Sequence, residues 1–144
     1  MPNPNRSNLW WLLLILAGVG AIVLTSGRNH SNGLIPWQTD YTAAAVQART
    51  NHKLILLDFY ADWCGPCRAM ASETWTDREV ADAVSGYVPV HVNVDDNPKL
   101  AQYFGVQGIP NILVLDGEGN VIARQVGEMG PGQFLDWLHS IPKS

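Results

Sequence analysis

The apolar run Leu54-Ile55-Leu56-Leu57-Asp58-Phe59-Tyr60 leads, two residues later, into Trp63-Cys64-Gly65-Pro66-Cys67. The run has the length and apolar content of a buried strand, and Pro66 suits the first turn of a helix, where a missing N–H breaks no hydrogen bond. Both cysteines of the chain therefore fall where a strand turns into a helix. The unpaired N–H groups and dipole of a helix start favour negative charge, so the first sulfur is expected to ionise more readily than an ordinary thiol. A thiolate attacks disulfides, and a second thiol three residues on displaces it from the mixed disulfide. The arrangement points to redox chemistry at Cys64 and Cys67.

Two plainer readings compete with that one. A structural zinc site normally takes four Cys or His ligands, usually as two spaced pairs. Here there is one Cys pair, and His30, His52, His91 and His139 are scattered singly, so no metal ligand set is expected. A purely structural disulfide closing so short a loop restricts the unfolded chain little.

The 144-residue chain divides unevenly. Residues 1–8 form a flank, and residues 9–24 contain no polar position, whereas a globular helix shows polar residues every third or fourth place. As helix those residues rise about 24 Å, short of the roughly 30 Å hydrocarbon layer, although Thr25 and Ser26 extend it. Residues 9–26 are read as a transmembrane anchor, with a cleaved signal peptide as the alternative. Trp10 and Trp11 suit a membrane interface and favour the anchor, while Val19-Gly20-Ala21 supplies the small residues a cleavage site wants. Such a segment ahead of a single domain exports the chain behind it, so the domain is expected outside the cytoplasm, anchored or secreted after cleavage. Residues 27–33 read as a polar tether and 34–144 as one domain with its own core. That domain carries 13 acidic residues against 7 Lys and Arg, six net negative charges, and nothing in it indicates a nucleic-acid partner.

Within the domain, Asp40 caps an alanine-rich helical pattern over 41–49, and Asp77 caps another over 78–84. Residues 88–94 alternate as a strand, Asn97-Pro98 opens a helix through Phe104, and residues 111–115 and 121–125 flank Asp116-Gly117-Glu118-Gly119-Asn120, a hairpin turn. Pro131 opens a last helix with Phe134, Leu135 and Leu138 as its apolar stripe. Strand and helix alternate, then a hairpin and a closing helix complete the order. It predicts an α/β fold with a central mixed sheet and helices on both faces, preceded by one N-terminal apolar helix.

Four segments, Leu57-Asp58-Phe59-Tyr60-Ala61-Asp62-Trp63-Cys64-Gly65-Pro66-Cys67, Asn93-Val94-Asp95, Val106-Gln107-Gly108-Ile109-Pro110 and Asp116-Gly117-Glu118-Gly119, resemble the thioredoxin superfamily over residues 34–141. Tyr60-Ala61-Asp62-Trp63-Cys64 with Thr74-Trp75-Thr76-Asp77-Arg78-Glu79-Val80 after it is similar to its exported members, such as the C-terminal domain of the membrane thiol:disulfide interchange reductase. The resemblance implies a thioredoxin fold with Cys64 as the nucleophile, exposed at the helix start, and Cys67 as the resolving thiol one turn inside. It implies a carboxyl at Asp58, buried beneath the cysteines, that accepts the proton of Cys67 as that thiol attacks. On residue type alone, Asp58 on a solvated strand edge stays open as an alternative.

The resemblance further implies a cis peptide bond at Ile109-Pro110 facing the dithiol, with the Ile109 backbone pairing with an extended substrate segment. Trp63 offers that segment a flat apolar contact unless it packs in the core, Gly65 and Pro66 lie beside it, and Gly127 leaves it room. His91 stands where many cytosolic relatives carry a buried Lys, and Tyr60 replaces a common Trp.

Gly65 and Pro66 add no positive charge to hold the Cys64 thiolate, which argues for a reducing rather than an oxidising pair. The expected activity is protein-disulfide reduction, or electron relay, toward exported proteins, with no cofactor beyond the Cys64–Cys67 pair. Expected partners are protein disulfides and dithiols, the membrane through the N-terminal helix, and a membrane electron-donor protein. An oxidase or isomerase, and a binding domain with no catalysis, are the alternatives.

Overall fold

The computed structural model describes residues 33–142. The elements run α1 (Tyr41–Asn51), β1 (Ile55–Tyr60), α2 (Gly65–Ser72), α3 (Arg78–Val84), β2 (Val88–Asn93), α4 (Pro98–Tyr103), β3 (Asn111–Leu115), β4 (Val121–Val126) and α5 (Pro131–Ser140). The strands form a mixed sheet in the order β2-β1-β3-β4, with β2 parallel to β1 and β3 antiparallel to β1 and β4. This is the central mixed sheet that the alternation of elements predicts. The apolar stretch at 9–26 lies outside the described residues, and among those described no helix is long and apolar enough to cross a membrane.

β1 is apolar throughout, save Asp58, because it is central and covered on both faces, and Ile55 to Phe59 are all buried. Side chains alternate across a strand, so Leu56 joins Ile112, Met70, Val80 and Phe134 beneath α2, α3 and α5. Ile55, Leu57 and Phe59 face the other way, onto Ala44 and Ala48 of α1 and Ala101 of α4. Asp58 shares the Leu56 face, the one covered by the helix that begins at the cysteines.

The helix starts are held as the sequence predicts. Asp40 accepts from the Ala43 N–H and Asp77 from the Val80 N–H, each at 3.0 Å, satisfying donors that a helix start leaves unpaired. At the β3–β4 turn Asp116 Oδ1 accepts from the Glu118 and Asn120 N–H groups, at 3.0 and 2.8 Å, and its Oδ2 accepts from the Asn120 side chain at 2.8 Å. Gly119, at φ +88°, supplies the left-handed residue that closes the turn.

These bonds, that to the Asn120 side chain first, hold the Asp116 carboxyl below its ordinary value. A carboxyl lowered on folding stabilises the fold above its unfolded pKa, and that contribution is lost as pH falls through the folded value. Asp116→Asn is therefore expected to be destabilised at neutral pH, with the gap to the parent narrowing on acidification below about pH 4. Thermal melts across pH check this, and a gap constant from neutral to acid would show that the charge plays no part.

Ahead of α1, residues 34–38 lie along the outer edge of β2, where Gln38 pairs in parallel with Val90. Sequence patterning assigns these residues no element. Gln38 donates to the Pro89 carbonyl at 3.0 Å and its own carbonyl accepts from His91 N–H at 2.8 Å. Ile35 is buried in the core, Trp37 packs on Trp75 and His91, and Leu34 and Pro36 share a hollow with Tyr87, Val88 and Pro89 at the start of β2. The dithiol lies at the other end of the sheet, past the last residue of β1.

Candidate functional site

Cys64 is the N-cap of α2, extended at φ −77° and ψ 110°, and is bonded to Cys67. Its Sγ accepts from the Cys67 N–H at 3.2 Å, so the sulfur occupies the position a capping oxygen usually takes. A negative charge on that sulfur sits against the donors and the positive dipole end of the helix, the electrostatic setting for a reactive thiolate.

One expectation needs correction. Cys64 is not exposed at the helix start: it is 4% exposed and Cys67 6%. The Ile109 loop folds over the pair, with its carbonyl oxygen 3.8 Å from Cys64 Sγ, and Tyr60, Val94 and Ile109 pack against it. A groove runs beside the pair at Ile109.

Residues of several loops make the groove. The Ile109-Pro110 peptide bond is cis, and the Pro110 carbonyl accepts from Gly127 N–H at 2.9 Å, joining the loop to the end of β4. Trp63, Val94, Val106, Gly108 and Ile109 line a mostly apolar hollow of about 330 Å³ beside the pair. Trp63 is 66% exposed, which removes the core-packing alternative, and its Nε1 donates to Asp95 Oδ2 at 2.9 Å, which fixes the plane of the ring. Gly65 and Pro66 are exposed in the first turn of α2. Gly127 has φ +98°, and a Cβ there meets nothing within 4 Å. Its backbone conformation, not lack of space, is what calls for glycine. A larger open hollow of about 790 Å³, between Asp40 and Tyr103, holds none of this chemistry.

Asp58 is 2% exposed on an interior strand of the sheet, on the face that α2 covers, so the solvated-edge alternative fails. His91 stands opposite it in the β1–β2 register, with Nε2 3.3 Å from Oδ2. Oδ1 has no hydrogen-bond partner among the described residues. The Tyr60 ring stacks on His91, and burial, then the charges of Asp62, Asp96 and Asp58, raise its phenol above the ordinary value. Among the described residues no three His, Cys, Asp or Glu converge as a metal site.

Residues 41–142 match the family described as thioredoxin-like domain. The chain belongs to that family. Over 104 residues it is 36% identical to the thiol:disulfide interchange protein DsbD of Yersinia pestis, covering 68% of this chain and 18% of that protein. The chain thus spans less than a fifth of the length of that relative. Thioredoxin of Rhodospirillum rubrum is 34% identical over 85 residues, 58% of this chain and 78% of that one. The reduced C-terminal domain of Neisseria meningitidis DsbD superposes with a TM-score of 0.62 at 30% identity, over 70% of this chain and 93% of its own. A DsbH oxidoreductase, at 22% identity, shares the fold with a TM-score of 0.67 over 87% of this chain and 96% of that one.

In this thioredoxin-like domain the loop carrying Ile109 is held by residues that sequence reasoning missed. Asn111, buried at the start of β3, donates to the Gly108 carbonyl at 3.2 Å and accepts from Arg124 at 3.0 Å, and Arg124 also donates to the Phe104 carbonyl at 2.6 Å. Trp37 and Asp95 were missed as partners of His91 and Trp63. No local pattern marks Trp37 and Asp95, because their contacts with His91 and Trp63 join segments far apart in the chain.

Proposed function

We propose that this thioredoxin-like domain is a thiol–disulfide oxidoreductase that reduces disulfides of exported proteins, or relays electrons to them, from an extracytoplasmic position. The observation that carries the reading is the Cys64 sulfur capping α2 while facing the Ile109 carbonyl, beside the apolar groove that Trp63 and Ile109 line. In this reading Cys64 attacks the substrate disulfide, Cys67 resolves the mixed disulfide and Asp58 takes the Cys67 proton. Trp63, Gly65, Pro66, Ile109, Pro110 and Gly127 form the wall against which an extended substrate segment lies. Resemblance to DsbD supports protein dithiols and disulfides as partners and an extracytoplasmic setting, and a membrane electron donor is proposed as a further partner. Residues 9–26 are proposed to anchor the domain.

The reducing direction is inferred from Gly65-Pro66, which places no cation beside the Cys64 thiolate. Equilibration with glutathione or dithiothreitol is expected to give a potential near the −270 mV typical of thioredoxin, about 150 mV below that of a dedicated oxidase. A value close to −120 mV, typical of such oxidases, reverses the direction. Mixed disulfides trapped by Cys67→Ser in intact cells identify the partners; only cytosolic proteins among them would refute the extracytoplasmic setting.

A further inference from the structure

Asp58 sits in the middle of the sheet, 2% exposed, so a proton it takes cannot leave directly into water. A base that works once per turnover has to be emptied each time. Its Oδ2 faces His91 Nε2 at 3.3 Å, and the His91 side chain is 22% exposed, reaching solvent where Asp58 does not. The imidazole is fixed in place between the Tyr60 ring, stacked at 3.6 Å and 23°, and the Trp37 ring at 5.1 Å and 33°. Its backbone is tied on both sides, to Asp58 through the register of β1 and to Gln38 on the outer edge. The groups facing it are Asp58 and Tyr60 from β1 and the uncharged Trp37 from the edge segment, with Asp62 and Asp96 beyond, close enough to act on the Tyr60 phenol.

We propose that His91 is a positioning residue that acts through Asp58, passing to solvent the proton that Asp58 takes from Cys67 and returning it when the cycle runs backward. The proposal rests on the oxidoreductase reading above. In the reducing direction the Cys64 thiolate attacks one sulfur of the substrate disulfide, and the other leaves as a thiolate that takes a proton from water. The Cys67 thiol then gives its proton to the Asp58 carboxylate as its sulfur attacks Cys64 Sγ. The Cys64–Cys67 bond forms, the mixed disulfide breaks, and the second substrate sulfur leaves as a thiolate protonated by solvent. Two electrons have passed to the substrate. The proton on Asp58 moves to Nε2 of neutral His91, and the resulting imidazolium releases one to water, which resets both groups. Imidazole suits this task because it both takes and gives a proton near neutral pH, which a lysine ammonium does not.

Single-turnover oxidation of the full-length reduced protein by insulin, monitored from pH 5.5 to 9, tests the relay. His91→Ala leaves a ring-sized slot between Trp37 and Tyr60 and is expected to slow the resolving step by about tenfold to a hundredfold. Free imidazole is expected to restore the rate. His91→Gln keeps a planar polar group in the slot and a hydrogen-bond donor toward Asp58 but neither takes up nor releases a proton over this range, so it is expected to be as slow, with a flattened pH profile and no rescue. It also keeps the test decisive where the alanine variant fails to fold. A glutamine variant with the parent's rate and pH profile, or a folded alanine variant that imidazole does not rescue, overturns the relay alone. A parent protein inert toward insulin overturns the oxidoreductase reading together with the relay.

Discussion

Cys64→Ser is expected to reduce insulin-disulfide reduction by about a thousandfold or more, to the rate of the added reductant alone, because a serine hydroxyl is not ionised at neutral pH and forms no mixed disulfide. The loss is chemical rather than structural. Serine is a preferred N-cap, and its oxygen stands where Cys64 Sγ accepts from the Cys67 N–H at 3.2 Å, so the first turn of α2 keeps its satisfied donor. The variant should therefore melt within about 1 kcal/mol of the reduced parent. Cys67→Ser divides the reaction differently: Cys64 still attacks, no thiol resolves the adduct, and a mixed disulfide accumulates that mass spectrometry reads directly. Activity of Cys64→Ser near the parent's would move the attacking role to Cys67, which lies a turn inside the helix and is 6% exposed.

The second large effect concerns the core that holds the dithiol helix. Phe134→Ala is expected to cost about 3–5 kcal/mol, the range for emptying a buried aromatic site. Phe134 is fully buried, meets Trp75 edge to face at 4.9 Å and 88°, and lies 5.8 Å from Trp137. It belongs to the cluster that includes Met70 of α2, Leu56 of β1 and Ile112 of β3. For a domain of this size each kcal/mol moves the midpoint by about 4 °C, so the melting temperature should drop by about 12–20 °C. Exchange activity well below the new midpoint should persist, since no atom of Phe134 belongs to the site. A drop under about 4 °C would mean that the cluster relaxes around the gap.

The elements were legible where local chemistry decides them. β1 announces itself as an apolar run broken only by Asp58 because both its faces are covered, Asp40 and Asp77 mark helix starts because a carboxylate satisfies their donors, and the glycines mark the hairpin. The site was legible in its types, since Cys64, Cys67, Asp58 and Pro110 lie in recognisable local settings. What escaped depends on contacts between distant segments. The edge pairing of residues 34–38 is a single bridge at Gln38, with too few residues to show alternation. The burial of Cys64 comes from Ile109, 45 positions away, and the grip on Trp63 from Asp95, 32 positions away. The pairing of Asp58 with His91 required the parallel register of β1 and β2, which either strand alone leaves undetermined.

The placement of residues 34–38 also bears on orientation. The described chain enters beside the first residues of β2, whereas the cysteines lie beyond the last residue of β1, so entry and chemistry occupy opposite ends of the sheet. Held from that end by the anchor proposed for residues 9–26, the domain would turn its working face outward and meet a partner head-on rather than across its own mooring.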